Sequence, residues 1–391
     1  MKIAFCLYKY FPYGGLQRDF LRIASVCQAR GHSVQVFVLS WQGEHPEGFD
    51  IRLLATKGFS SPARYRHFYR EMSAELALNP VDVVVGFNKM PGLDIYYAAD
   101  PCYAYKARHL RSKPYRLTSR YRHFSRYEKA VFGVDPGSSR ADSVDQDRKA
   151  TATEILMISE QQKPLFKQYY GTADKRFHLL PPGIDKTRCA SENREQVRQE
   201  FRREFGLGES QKLLLLIGSG FKTKGLDRVL LAMKNLPEST LKHTLLFVIG
   251  QDDPAVFRRE AKKLGIEEHV RFFSGRDDVP RFLQGSDVLV HPAYSENTGT
   301  VLLEALVAGL PVLTTANCGY AHFVEESEGG QVIGEPYSQG EFDRALESLL
   351  VSDTRALSER ALSWAKNVDI FSLPERATEL IENLTLERSA R

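Results

Sequence analysis

The sequence predicts an α/β protein made of two similar halves, each a parallel sheet with helices between its strands. Two observations carry this expectation. Short apolar runs alternate with amphipathic stretches along the whole 391-residue chain, which is the pattern of βαβ units. The same plan then starts afresh after an interruption rich in proline and polar residues, and a chain of this length can bury two separate cores.

In the first half the strand candidates are Ile3–Leu7, Val34–Leu39, Val81–Phe87, Ile95–Ala98 and Ile155–Ile158, with helical periodicity over Leu16–Arg30 and Tyr65–Leu78. In the second half the strand candidates are Leu213–Ile217, Thr244–Ile249, Val270–Phe273, Val288–Val290 and Val312–Thr314. Helices are expected over Leu226–Asn235, Ala255–Leu264, Thr300–Ala308 and Glu341–Leu350. The joint falls in LLPPGIDKTRCASENR (residues 179–194), so the domains are expected over 1–183 and 184–367. Helical stretches over 353–367 and 374–384 follow, and residues 368–391 are expected to return to the first domain. Residues 133–150, GVDPGSSRADSVDQDRKA, read as a polar surface loop or a disordered insertion.

Composition narrows the function classes. The chain is 42% hydrophobic and 26% charged with a formal net charge of +4, which implies no obligate nucleic-acid partner and makes any basic function local. Its cysteines, Cys6, Cys27, Cys102, Cys189 and Cys318, are scattered without a C-x-x-C pair, which argues for a reducing compartment and against structural zinc. The opening MKIAFCLYKYFPYGG has too short an apolar run for a signal peptide, and no stretch of 18 apolar residues occurs anywhere. A cytoplasmic protein that does not span a membrane is expected.

Three loops and one surface segment stand out. Phe11-Pro12-Tyr13-Gly14-Gly15-Leu16 joins the first strand to a long helix, where glycines let backbone amides approach a phosphate or sugar; a plain tight turn fits equally well. Its counterpart, Gly218-Ser219-Gly220-Phe221-Lys222-Thr223-Lys224-Gly225, lacks the third glycine of a dinucleotide fingerprint and the Lys-Ser/Thr of a P-loop. What remains is a glycine loop with two lysines at a helix entrance, suited to a diphosphate. Asp252, after the Val248-Ile249-Gly250 strand end, could mimic a ribose-binding acid.

The third loop lies in HPAYSENTGTVLLEALVAGLP (residues 291–311), where Glu296 and Glu304 bracket the start of a helix expected near Thr298. Asn297, Thr298, Gly299 and Thr300 offer caps and amides for an anion. By themselves the two glutamates are read equally well as a dipole carboxylate and a solvated helix residue. His291 is read as a structural polar group at a strand end.

Residues 103–132 carry Lys106, Arg108, Arg111, Lys113, Arg116, Arg120, Arg122, Arg126 and Lys129 against the single acid Glu128, interleaved with aromatic residues. A solvated helix, an RNA-binding strip and a surface for an anionic membrane all compete. Concentration of the excess charge here makes a plain solvated helix the least expected of the three.

Taken together, Pro292-Ala293-Tyr294-Ser295-Glu296, Glu304-Ala305, Gly309-Leu310-Pro311-Val312, Lys224-Gly225, Pro182-Gly183 and Ser274-Gly275-Arg276 resemble the retaining GT-B glycosyltransferases of family 4. LYKYFPYGGLQRDF, VGFNKMPGLD, YRLTSRYRH and CGYAH further resemble the members of that family that glucosylate a heptose of the lipopolysaccharide core in Gram-negative bacteria. The likeness covers almost the whole chain, with 133–150 the main departure.

The resemblance implies two Rossmann-like domains facing a central cleft that closes over the donor, and transfer of glucose from UDP-glucose to an inner-core heptose with retention of configuration. It implies that Glu304 binds the ribose hydroxyls and that Glu296 faces the transferred sugar, with Asn297, Thr298, Gly299 and Thr300 holding sugar hydroxyls and phosphate. Lys224 should neutralise the diphosphate, Arg276 should lie by the base, and Gly14 and Gly15 should approach the phosphate or sugar. Asp100, ending IYYAAD, becomes the acid at the acceptor side, in a region where relatives carry a donor-binding histidine. Relatives also have an arginine where Ser219-Gly220-Phe221 stand, so Lys222 should take part of that role.

No cofactor is implied. The only D-x-D, Asp145-Gln146-Asp147, follows no strand, so catalysis without a metal is expected. The partners implied are UDP-glucose, the lipopolysaccharide acceptor and the anionic cytoplasmic face of the inner membrane, met through 103–132. The competing reading, a nucleic-acid binder using 103–132 on an inactive scaffold, is opposed by the intact Glu296/Glu304 pair and Lys224.

Overall fold

Residues 1–12, 14–55, 57–133 and 152–390 are described by a computed structural model, and the chain forms two compact units. One comprises Met1–Gly183 and the chain from Ser372 onward; the other is Ile184–Phe371. The return to the first unit thus begins at Ser372 rather than at residue 368. The polar segment 134–151, including Asp145 and Asp147, lies outside the described residues, as does Tyr13.

The first unit contains strands Lys2–Cys6 (β1), Lys9–Tyr10 (β2), Ser33–Val38 (β3), Ser40–Trp41 (β4), Asp50–Leu53 (β5), Val83–Gly86 (β6), Ile95–Ala98 (β7), Glu154–Met157 (β8) and Phe177–Leu179 (β9). Seven of them form a parallel sheet in the order β5-β3-β1-β6-β7-β8-β9, while β2 and β4 pair separately. Along β1, Ile3 and Phe5 join one apolar cluster and Ala4 and Cys6 the other, so both faces of the strand are buried. That is why parallel strands read as unbroken apolar runs. The helix Leu373–Ser389 packs on the helix Gly15–Ala29, contributing Leu373, Ala377, Ile381 and Leu384 to the first cluster. Arg30 and His32 both reach Glu382, at 2.9 and 2.6 Å.

The basic segment folds as a helix over Tyr103–His109, a 3₁₀ turn over Lys113–Leu117 and a helix over Ser119–Phe132. Its one acid is not on the surface. Glu128 is fully buried and accepts from Lys89 Nζ (2.5 Å), Tyr170 Oη (2.5 Å) and the amides of Tyr103 (2.7 Å) and Ala104 (2.8 Å). One carboxylate therefore caps the first helix and neutralises a mostly buried ammonium. Arg176, also buried, donates to the carbonyls of Gly133 and Thr153, both at 2.9 Å.

The second unit contains Lys212–Ile217 (β10), Thr244–Ile249 (β11), Val270–Phe273 (β12), Val288–His291 (β13), Val312–Thr315 (β14) and Gly330–Ile333 (β15), in the order β12-β11-β10-β13-β14-β15. This doubly wound order reverses direction between β10 and β13, and ligands of such sheets bind outside the strand ends at that switch point. On β10, Leu213 and Leu215 face one core cluster while Leu214 and Leu216 face the other. Among the described residues, no helix is long and apolar enough to cross a membrane.

Removing the Glu128 carboxylate leaves the Lys89 charge without a counter-ion, with the Pro101 carbonyl (2.8 Å) as its remaining acceptor, and takes the acceptor from two helix amides. Glu128→Ala is expected to destabilise the protein by about 3–5 kcal/mol, read from urea unfolding; a loss below about 1 kcal/mol, the scale of an exposed pair, would contradict this account.

Candidate functional site

The loops leaving β10 and β13 are stitched together at the switch point of the second unit. Gly225 adopts φ 80°, and a Cβ there would fall 2.0 Å from the Pro292 carbonyl oxygen, so only glycine lets the loops approach this closely. Tyr294 N donates to Thr223 O at 2.9 Å, and Arg228 Nη1 donates to Pro292 O at 3.0 Å. The Arg228 guanidinium is sandwiched between the rings of Tyr294 and Tyr337, 3.7 and 3.6 Å from their centroids. On the far side, Glu296 N donates to Asn317 O (3.0 Å) and Tyr320 N to Thr298 O (2.7 Å), tying the loop to the chain after β14.

These contacts bring Lys224 Nζ into direct contact with Glu296 Oε2. His291, fully buried at the end of β13, places Nε2 3.7 Å from the same oxygen. Burial would push the Glu296 carboxyl up, but His291 and the Lys224 charge outweigh it and hold the group at about 2. The helix that follows spans Thr300–Val307, starting at the Thr300 expected from its apolar run, with Gly299 at φ 82° as its N-cap. Its amides and dipole face the same loop as Glu296. Glu304, on the buried side of that helix, lies 3.7 Å from Arg188 Nε.

The other candidates divide. The Ser219 hydroxyl accepts from Gln251 N at 3.1 Å. Lys222 Nζ turns to Asp227 (2.5 Å) and Tyr294 Oη (3.4 Å), away from the Lys224–Glu296 contact, so the two loop lysines have different partners. Asp252 accepts from the amides of Gly220 and Phe221, both at 2.9 Å, and so shapes the glycine loop instead of presenting an acid to a ribose. Arg276 is held in a two-point pair by Asp278 (2.7 and 2.8 Å), with its guanidinium carbon 4.8 Å from the Phe282 ring centroid and 5.7 Å from that of Phe273. Thr298 and Thr300 hydroxyls sit 3.5 Å apart, and Asn297 lies between Glu296 and this pair along the loop.

In the first unit, Gly14 is the N-cap of the helix Gly15–Ala29, and nothing lies within 4 Å of a Cβ built on Gly15. A Cβ on Gly14 would meet Gln17 Oε1 at 1.9 Å. Asp100 is exposed just beyond β7. Sequence reasoning missed two groups: Arg188, in a 3₁₀ turn after the domain joint, and Asp19, which accepts from Tyr97 Oη at 2.7 Å. Asp19 lies within LYKYFPYGGLQRDF and Arg188 within the joint LLPPGIDKTRCASENR, but no spacing there singles out either; both are defined by packing.

A lysine-bearing glycine loop set against a carboxylate at the switch point of a doubly wound sheet, in a chain that builds two such sheets, is the arrangement of a GT-B glycosyltransferase. A family model described as Glycosyl transferases group 1 matches residues 197–368, and one described as Glycosyltransferase Family 4 matches residues 13–188. The lipopolysaccharide glucosyltransferase WaaG of Escherichia coli (strain K12) is 45% identical over 97% of this chain and 98% of its own. A crystal structure of WaaG, described as a glycosyltransferase involved in lipopolysaccharide biosynthesis, superposes with a TM-score of 0.88 at 46% identity, covering 97% of this chain and 99% of that one. HepE of Anabaena in complex with UDP-glucose shares the fold, with a TM-score of 0.70 at 15% identity over 98% of this chain and 100% of its own. The chain therefore belongs to the family 4 glycosyltransferases and is an enzyme of that class.

Burial pushes the Asp19 carboxyl up to about 6, opposed only in part by Tyr97, Arg18 and Arg22. The folded value lies above the unfolded one of about 3.9, so the stability it contributes is full at low pH and lost as pH rises through about 6. Asp19→Asn keeps the acceptor oxygen and removes the charge. It is expected to gain roughly 1–3 kcal/mol over wild type at pH 8 and nothing at pH 4 in urea unfolding; equal effects at both pH values would refute the burial argument.

Proposed function

We propose that the chain transfers glucose from UDP-glucose to a heptose of the lipopolysaccharide inner core, with retention of anomeric configuration, without a metal, and on the cytoplasmic face of the inner membrane. The observation that carries this reading is the Lys224–Glu296 contact at the switch point, in a chain 45% identical to WaaG along nearly its full length.

Breaking a sugar–phosphate bond places positive charge on the anomeric carbon and negative charge on the leaving diphosphate. A site that answers both ends needs a cation and an anion at fixed separation. Lys224, with the glycine-loop amides and the first turn of Thr300–Val307, would serve the diphosphate; one such donor contributes roughly 3–4 kcal/mol to the barrier. Glu296, charged and held at about 2, would face the developing positive charge. Glu304, oriented by Arg188, would hold the ribose hydroxyls, with Arg276 beside the base. Asp100 would act at the acceptor.

For the membrane, the burial of Glu128 leaves the surface of 103–132 to its cations. Leu110 and Leu117 stand 62% and 80% exposed among them, apolar side chains that an anionic bilayer surface would cover. Each basic residue near such a surface contributes about 1 kcal/mol. Liposome flotation is expected to recover the protein with vesicles containing anionic lipid and not with zwitterionic ones; equal recovery in both would remove the membrane from the reading.

The reaction is tested by UDP release from a panel of UDP-sugars, with and without purified heptose-bearing core lipid and with chelator present. Acceptor-dependent release from UDP-glucose, unchanged by chelator, is the expected result. Release from another sugar alone moves the donor assignment; release with another glycolipid moves the acceptor; no release with any pair returns the nucleic-acid reading for 103–132.

A further inference from the structure

We propose that His291 is the positioning residue for Glu296, holding its carboxylate in place when Lys224 turns from it to the donor's diphosphate; this rests on the roles proposed for those two residues above.

The case begins with an orphan. His291 is fully buried, yet neither ring nitrogen has a hydrogen-bond partner. Buried polar groups are nearly always paired, as His269 Nδ1 is with Thr244 O at 3.0 Å. The His291 ring instead lies under Glu296, its Nε2 3.7 Å from Oε2, just outside hydrogen-bond range. A shift of a few tenths of an ångström closes that gap.

The site has a use for such a reserve. Lys224 contacts Glu296 here, but the same ammonium is the group a diphosphate would draw. As Lys224 divides itself between two anions, Glu296 needs a second donor, and His291 is the one placed beneath it. The charged and titratable groups that face the ring are Glu296 from the β13 loop, Lys224 from the β10 loop and the Cys318 thiol from the chain after β14. Burial would lower the imidazole's pKa and Lys224 opposes a charge there, but Cys318 and Glu296 outweigh them and raise it, which favours Nε2 as a donor. Thr314 fixes the backbone below by donating to His291 O at 3.0 Å.

Two variants separate positioning from packing. His291→Leu keeps the volume and removes both nitrogens; His291→Gln sets an amide N–H near the place of Nε2. In steady-state transfer assays with UDP-glucose and core-lipid acceptor, His291→Leu is expected to lower kcat by about 10- to 100-fold with UDP affinity unchanged. Its kcat should also gain an acid limb above about pH 4.3, the ordinary glutamate value. His291→Gln should recover most of the lost kcat. Carbon-13 NMR titration of the Glu296 carboxyl, assigned with Glu296→Gln, reads the same coupling without turnover and should show its pKa rising in His291→Leu.

Wild-type kcat and pH profile in His291→Leu, or an unshifted Glu296 titration, would overturn the inference. Equal losses of kcat in His291→Leu and His291→Gln, with a matching fall in melting temperature, would reduce His291 to packing and overturn it as well. Should His291→Leu not fold, His291→Asn, too short to reach Oε2, takes its place; activity equal to His291→Gln then overturns the proposal. If wild type transfers nothing from UDP-glucose, the functional reading falls, while the titration still decides whether His291 holds Glu296.

Discussion

A carboxylate taken largely out of water stays charged only where cations and donors replace its hydration, and the second unit is arranged around meeting that demand at Glu296. Lys224 can meet it only if the loop after β10 comes within reach of the loop after β13. That approach requires Gly225, whose place no residue with a Cβ could take against Pro292. It also rests on the clamp on Arg228 and the hydrogen bond that Tyr294 N donates to Thr223 O. Each of these in turn depends on β10 and β13 being neighbours, which the doubly wound order secures.

The first unit solves the same electrostatic problem differently. Glu128 has a lysine, a tyrosine hydroxyl and two helix amides, and no surface left to water. Its valences are filled, so it locks structure. Glu296 has one ammonium and one imidazole at the edge of range, with part of its side chain still accessible. Partner count separates the acid that holds the fold from the acid with capacity left for a ligand.

Much of this was legible beforehand, for a physical reason. Strands sandwiched between helices carry unbroken apolar runs, so β1, β3, β6, β7, β8 and β10 to β14 announce themselves. Of the strands the sequence does not show, β5 and β15 lie at sheet edges, where one side has no neighbouring strand, and β2 and β4 are two residues long and pair only with each other. Asp50–Leu53 is mostly exposed and half charged, and Gly330–Ile333 opens on a glycine. Lys224 and Glu296 in their loops, and Glu304 on the helix that follows, stand in motifs whose spacing can be read. Arg188, Asp19 and the burial of Glu128 cannot, because each depends on a contact between segments far apart in the chain. Asp252 was misread as a ligand acid because a strand-end aspartate looks the same whether it faces a sugar or its own loop. The fold class and family stand on both the motifs and the comparisons.

The helix Leu373–Ser389 has one more consequence, for the order in which the molecule is built. The core of the first unit includes Leu373, Ala377, Ile381 and Leu384, so its apolar side cannot close on a chain that stops before them. The second unit, Ile184–Phe371, is continuous and holds all its own core residues. During synthesis, when domains ordinarily fold from the N-terminus onward, one apolar side of this chain's first core stays open while the later unit forms. The helix Gly15–Ala29 meanwhile presents an uncovered apolar face to whatever the nascent chain meets.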